Sequence, residues 1–200
     1  MDTDANLVAL LGSPRKGGNT EILLNSTLEA ARESGATVKM FRLSSMKITP
    51  CIGCRKCDTN GTCVIRDQMQ EIYAAVDEAT SIVIASPVYF YSVSAWAKAA
   101  MDRFQVYWAR THILKQPKPS NRYGAVIAVG ATGGRRLFEG NILTARYCFM
   151  DAGFEYSGHV LVRNTDNIGD VLSNPTHLKA AAQLGTMLVE DPSRGYRYVG

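Results

Sequence analysis

Short apolar blocks alternate along this chain with segments of helical spacing. Leu7 to Leu11 (Leu-Val-Ala-Leu-Leu) is a continuous apolar run, as in a strand buried on both faces. From Glu21 to about Ser34, the positions of Ile22, Leu23, Leu24, Leu28 and Ala31 predict an amphipathic helix, which Gly35 ends. Thr37 to Arg42 partly alternates, like an edge-type strand. Met69, Ile72, Tyr73 and Val76 give a helix from about Gln68 to Asp77 its apolar face. Ser81 to Ser86 reads as a central strand, and a helix starts near Ser94 and runs to about Trp108. A Pro-containing connection, Lys115 to Asn121, leads into an apolar strand from Tyr123 to Gly130. A helix from about Glu139 to Ala152, a last strand from Phe154 to Val162 and a last helix from Pro175 to Val189 follow.

Five strands alternating with helices imply a parallel sheet covered on both faces. The expected fold is a flavodoxin-like three-layer α/β sandwich, with strand order 2-1-3-4-5. One domain spans residues 1–190 and carries a cysteine-loop insertion at about 44–67; residues 191–200 read as a C-terminal tail. At 200 residues, 46% hydrophobic and 20% charged, the chain has the composition of a globular domain. Its net charge of +4 is mild and comes without a basic run, so nucleic acid is not implied, although an acidic partner or anionic cofactor is favoured. No apolar run is long enough to span a membrane. Met1 to Asp4 is acidic and is not followed by the apolar core of a signal peptide, so a cytoplasmic, reducing location is expected.

Three loops carry the candidate chemistry of a ligand site. Gly12 to Thr20 (Gly-Ser-Pro-Arg-Lys-Gly-Gly-Asn-Thr) joins the first strand to a helix N-terminus, where the dipole favours an anion. Ser13, Asn19 and Thr20 supply neutral donors there, and Arg15 or Lys16 supplies charge. A helix cap needs only one such residue. The loop matches neither the dinucleotide fingerprint nor the Walker form. Pro87 to Val93, after the third strand, is dense in aromatics (Tyr89, Phe90, Tyr91) and suits a planar ligand. Ala131 to Arg136, after the fourth strand, contains the paired Gly133 and Gly134, which allow a ligand close to the backbone. In the expected sheet these loops meet at the switch point. With one phosphate loop and no acidic ribose reader, FMN fits better than a dinucleotide.

The fourth feature is Cys51, Cys54, Cys57 and Cys63, spaced C-x2-C-x2-C-x5-C. Three explanations stand. A compact loop with thiols at every third residue can wrap an iron–sulfur cubane. Four thiolates can hold zinc, although zinc knuckles are usually farther apart. A disulfide is the third, disfavoured in a reducing compartment. Cys148, flanked by Tyr147, Phe149 and Met150, reads as core, and His112, His159 and His177 show no ligand spacing. Asp102 and Arg103 read as a helix surface or interface.

The segments Gly12–Thr20, Cys51–Cys63, Ser86–Phe90 and Lys98–Phe104 together resemble the NADPH-dependent FMN reductase-like flavoproteins, and among them the iron–sulfur flavoprotein branch. That resemblance covers about residues 6 to 190. It implies FMN and a [4Fe-4S] cluster on Cys51, Cys54, Cys57 and Cys63. It implies Ser13, Arg15, Asn19 and Thr20 at the phosphate, with Pro87, Val88, Tyr89, Phe90, Thr132, Gly133 and Gly134 at the isoalloxazine. It further implies a homodimer or homotetramer and a ferredoxin-type donor. The expected activity is electron transfer through FMN and the cluster to a small acceptor. Two alternatives remain: a cluster-free NAD(P)H-dependent FMN or quinone reductase, and a zinc-stabilised flavin-binding module without turnover.

Overall fold

The computed structural model describes residues 5–200; the acidic stretch read from Met1 to Asp4 lies outside the described residues. β1 (Asn6–Leu11) lies between β2 (Thr37–Arg42) and β3 (Ser81–Pro87), and β4 (Tyr123–Val129) and β5 (Glu155–Val162) continue the sheet beyond β3. Every pairing is parallel. The carboxyl ends of β1 and β3 are therefore neighbours, at the point where the strand order reverses.

The sheet has six strands, in order 2-1-3-4-5-6, which corrects the five-stranded expectation. β6 (Tyr196–Val199) pairs with Gly158–Leu161 of β5 and comes from the segment read as a tail. Four residues are too few to show a period in sequence. Gly158 lets the edge strand approach, because a Cβ there would run into the Tyr196 carbonyl.

Both faces of the sheet are covered. α1 (Asn19–Glu33) and α7 (Pro175–Glu190) bury Leu23, Leu24, Leu28, Leu184 and Leu188 against one face. α3 (Met69–Glu78), α4 (Ala95–Asp102), α5 (Gln105–Trp108) and α6 (Glu139–Ala152) cover the other, around Met69, Ile72, Phe104 and Phe149; the short α2 (Cys57–Asn60) lies within the cysteine loop. The single helix expected from Ser94 to Trp108 is broken at Arg103–Phe104, and after Trp108 the chain widens into a π turn over Ala109–Ile113. The break accompanies an arginine drawn into the interior: Arg103 is 1% exposed. Among the described residues no helix is long and apolar enough to cross a membrane.

Candidate functional site

The loop after β1 is fixed by its neighbours before any ligand binds. Gly12 N–H donates to the Ala85 carbonyl at 2.8 Å, and its own carbonyl accepts from Ser94 Oγ at 2.6 Å. Ser94 caps α4 through the Ala97 N–H, and its own N–H donates to Ser86 Oγ at 2.9 Å. Glu21, in the first turn of α1, accepts from the Gly17 N–H at 2.8 Å and pairs with Arg42 at the end of β2. Burial pushes the Glu21 carboxyl up, but Arg42 and the Gly17 N–H outweigh it and hold the carboxyl below its ordinary range. The first-turn N–H groups of α1 have no intrahelical partner and remain available to an anion.

A 190 Å³ cavity opens at this loop. Of the predicted residues, Ser13, Arg15, Asn19, Thr20, Pro87, Val88 and Tyr89 line it together. Val129 and Ala131 complete the wall from the end of β4. Asn19 has both ends of its amide engaged: Nδ2 donates to Asn167 O at 2.8 Å, and Oδ1 accepts from Val171 N–H at 3.2 Å. Its side chain therefore braces the loop after β5. Arg15 Nη1 donates to the Asp166 carbonyl at 2.7 Å.

The aromatic loop is a two-residue hairpin. Tyr89 and Ser92 exchange backbone hydrogen bonds, and Phe90 and Tyr91 take φ of 50° and 62°. Such turns ordinarily use Asn or Gly, so two aromatics here store strain. Phe90 projects fully into solvent, outside the cavity. Thr132, Gly133 and Gly134 lie just beyond Ala131: Thr132 O accepts from Asn164 N–H, and Gly134 packs beneath the Tyr91 hydroxyl.

The cysteine loop forms a second cavity of 300 Å³. Cys51, Cys54, Cys57 and Cys63 all line it, as free thiols, beside Val106, Trp108 and Arg103. Gly53, Arg55 and Gly61 have left-handed backbone (φ 66°, 56° and 71°), which curls the loop on itself. Among the described residues no three His, Cys, Asp or Glu side chains converge closely enough to hold a metal ion. Burial first, and then the Asp58 carboxylate, push the Cys57 thiol up. That environment opposes a free reactive thiolate.

Residues 5–149 match the family described as NADPH-dependent FMN reductase. The chain belongs to that family. An iron–sulfur flavoprotein from Archaeoglobus fulgidus is 34% identical over 194 residues, covering 95% of this chain and 81% of the relative. An iron–sulfur flavoprotein from Methanosarcina thermophila is 31% identical over 169 residues, covering 84% and 83%. Within the family, the chain belongs to the iron–sulfur flavoprotein branch. The crystal structure of an FMN-dependent NADH-azoreductase from Bacillus anthracis in complex with FMN superposes with a TM-score of 0.68 at 15% identity, covering 92% of this chain and 99% of that one, which shows the shared flavodoxin-like fold.

This flavin-dependent oxidoreductase has site residues that the sequence did not reveal. Thr165 and Asp166, after β5, line the phosphate-loop cavity, yet their segment carries no motif. The only signal was topological, since the loop follows a strand whose carboxyl end faces the same way. Arg103, expected at a surface or interface, is buried instead. Its Nη1 donates to Thr49 O at 2.7 Å and to Asp67 Oδ2 at 2.9 Å, and its Nη2 donates to Ile65 O at 3.2 Å. Asp102 remains exposed and pairs with Lys98 at 2.6 Å. Cys148 lies partly buried at the core's edge, where burial pushes its thiol up to about 12.

Proposed function

We propose that this flavoprotein binds FMN at the phosphate loop, holds a [4Fe-4S] cluster on Cys51, Cys54, Cys57 and Cys63, and passes electrons from a protein donor to a small acceptor. The observation that carries the reading is that the four thiols line one cavity, separate from the cavity at the phosphate loop. The donor set fits the group in kind: four soft sulfur ligands line one 300 Å³ cavity, far more room than one tetrahedral ion needs, and would draw together around a cluster.

The chain's own groups do the positioning. Ser13, Thr20 and the first-turn N–H groups of α1 receive the phosphate, and Arg15 adds charge. At 190 Å³ this cavity is smaller than the about 300–1,000 Å³ of pockets that enclose a whole ligand. It suits the phosphate end, and leaves the ring system to lie on the rim against Tyr89 and the Thr132–Gly134 turn. When bound, the two groups supply one- and two-electron chemistry, so no side chain need act as an acid or base. Around the cysteine cavity, Ile52 (65% exposed) and Val64 (51% exposed) form an apolar rim next to exposed Cys51 and Cys54. A ferredoxin-type donor docks there in this reading, favoured by the mild positive charge of the chain.

The test is to purify the protein without oxygen and to assay iron, acid-labile sulfide and FMN in one sample. About four irons and four sulfides per chain with one FMN support the reading. FMN without iron or sulfide, with rapid NAD(P)H oxidation, would point to a cluster-free reductase instead. Zinc without sulfide would point to the zinc-stabilised module.

A further inference from the structure

The cysteine loop is closed at its neck by one buried arginine. Thr49 precedes the first cysteine, and Ile65 and Asp67 follow the last. Arg103 reaches all three, donating to the Thr49 and Ile65 carbonyls and to the Asp67 carboxylate. Asp67 completes the clamp by accepting from the Thr49 N–H at 2.8 Å and the Met69 N–H at 3.1 Å. A second arginine grips the far side: Arg110 Nε donates to Gly61 O at 2.9 Å.

Arg103 does more than brace. Its side chain lines the cysteine cavity, while Asp67 does not. Its Nε is buried and has no hydrogen-bond partner among the described residues. A buried guanidinium donor without an acceptor is unfavourable and calls for an explanation. The other cation on this cavity, Arg55, has a side chain 72% exposed and is paired with Asp58. Arg103 is thus a buried positive charge on the cavity of four sulfur ligands, and its counter-ion Asp67, 2.9 Å away, is not part of the lining. A guanidinium stays charged at any working pH, and because Arg103 itself is buried its field is screened less than that of a surface charge.

We propose that Arg103 is the counter-charge of the cysteine cavity, a positioning residue that closes the loop and whose fixed positive charge makes the bound cluster easier to reduce. Each electron added there adds negative charge, which this guanidinium stabilises. The inference rests on the cluster reading above, and the two fail in distinguishable ways.

The experiment is an anaerobic reductive titration of the cluster, followed by electron paramagnetic resonance and optical spectra, with iron and sulfide measured on the same samples. Arg103→Gln should move the cluster potential to a more negative value at wild-type iron and sulfide content, and Arg103→Lys should return it toward wild type. Because Arg103→Gln strands the Asp67 carboxylate, the Asp67→Asn/Arg103→Gln variant is measured beside it, and its potential should fall in the same direction by a smaller amount, since Arg103 and not Asp67 lines the cavity. Equal potentials in wild type and a fully loaded glutamine variant would overturn the proposal. If neither glutamine variant folds, Arg103→Lys decides: a wild-type potential supports a charge effect, and a lowered one at full loading defeats it. Wild-type protein without iron and sulfide would instead remove the cluster reading itself, before any potential is read, and this inference with it.

Discussion

Ser94 Oγ donates to the Gly12 carbonyl over 2.6 Å, so the residue that caps α4 also holds the phosphate loop down. The contact leaves no spare room. A Cβ on Gly12 would sit 2.7 Å from Ala97 Cβ and 2.9 Å from Ser94 Oγ. Ser94→Ala should cost about 1–2 kcal/mol through the lost cap. Gly12→Ala should cost about 1–3 kcal/mol from overpacking and also displace the loop. Denaturant melts measure both losses, and FMN titration of Gly12→Ala should show weakened binding. Unchanged flavin affinity in that variant would break the link between the α4 cap and the cofactor loop.

The phosphate-loop cavity and the cysteine cavity share no lining residue. Cys57→Ser should therefore lose iron and sulfide while keeping FMN near wild-type stoichiometry. Cys57 is the most buried thiol of the four. Stoichiometric iron and sulfide in that variant would contradict the ligand assignment.

Asn19, expected at the phosphate, lines the phosphate-loop cavity, and its side chain is also bonded to Asn167 and Val171. Asn19→Ala should leave the Val171 N–H unpaired and the Asn167 carbonyl with the Asp170 N–H alone, at about 1–3 kcal/mol in stability. It should also weaken FMN binding, because the released loop carries the Asp166 carbonyl that orients Arg15; each 1.4 kcal/mol is about tenfold in Kd. Isothermal titration with FMN separates the two effects. A stability loss with flavin affinity intact would confine Asn19 to a structural role.

Most of the architecture was legible because parallel strands buried on both faces are continuous apolar runs, as from Leu7 to Leu11 and Tyr123 to Val129. The phosphate loop was legible because its donors are contiguous in sequence. β6 was not, because a four-residue edge strand, Tyr196–Val199, lacks both the length and the apolar run. Arg103 was misplaced for a different reason. Its neighbours make an ordinary helix period, and the carbonyls that bury it come from residues 49 and 65, over thirty positions away. Thr165 and Asp166 reach the site only through the fold.

The sixth strand gives its own test. Any side chain at Gly158 points at the Tyr196 carbonyl, so Gly158→Ala should strip β6 from the sheet while leaving β1 to β5 paired. Hydrogen exchange should speed up at residues 196–199 and stay slow in β4. Unchanged protection at 196–199 would show that the edge absorbs a methyl group.

A pH dependence follows from His159, which sits on β5 with 9% of its surface exposed. Burial, and then Arg197 on the neighbouring strand, lower its pKa from 6.5 to about 4. Tyr156 keeps its proton, since burial pushes its hydroxyl up to about 12. Tyr156 therefore donates to His159 Nδ1 across 2.6 Å, and the neutral ring carries its proton on Nε2. The unfolded chain takes up a proton as pH falls through about 6.5, while the folded chain resists until about 4. The contribution of neutral His159 is complete above the unfolded value and is lost progressively as pH falls toward 4, by about 3 kcal/mol in all. Carboxylates paired in the fold, such as Asp67 with Arg103, lose their contribution at lower pH and act equally in both proteins compared below. His159→Gln keeps an acceptor for Tyr156 and cannot titrate. Denaturant melts from pH 7.5 to 4.5 should show wild type losing stability faster than the glutamine variant, with the gap between the curves changing steadily below about pH 6.5. Parallel curves would mean that His159 is protonated as readily in the folded chain as in the unfolded one, and that β5 admits a charge beside Arg197.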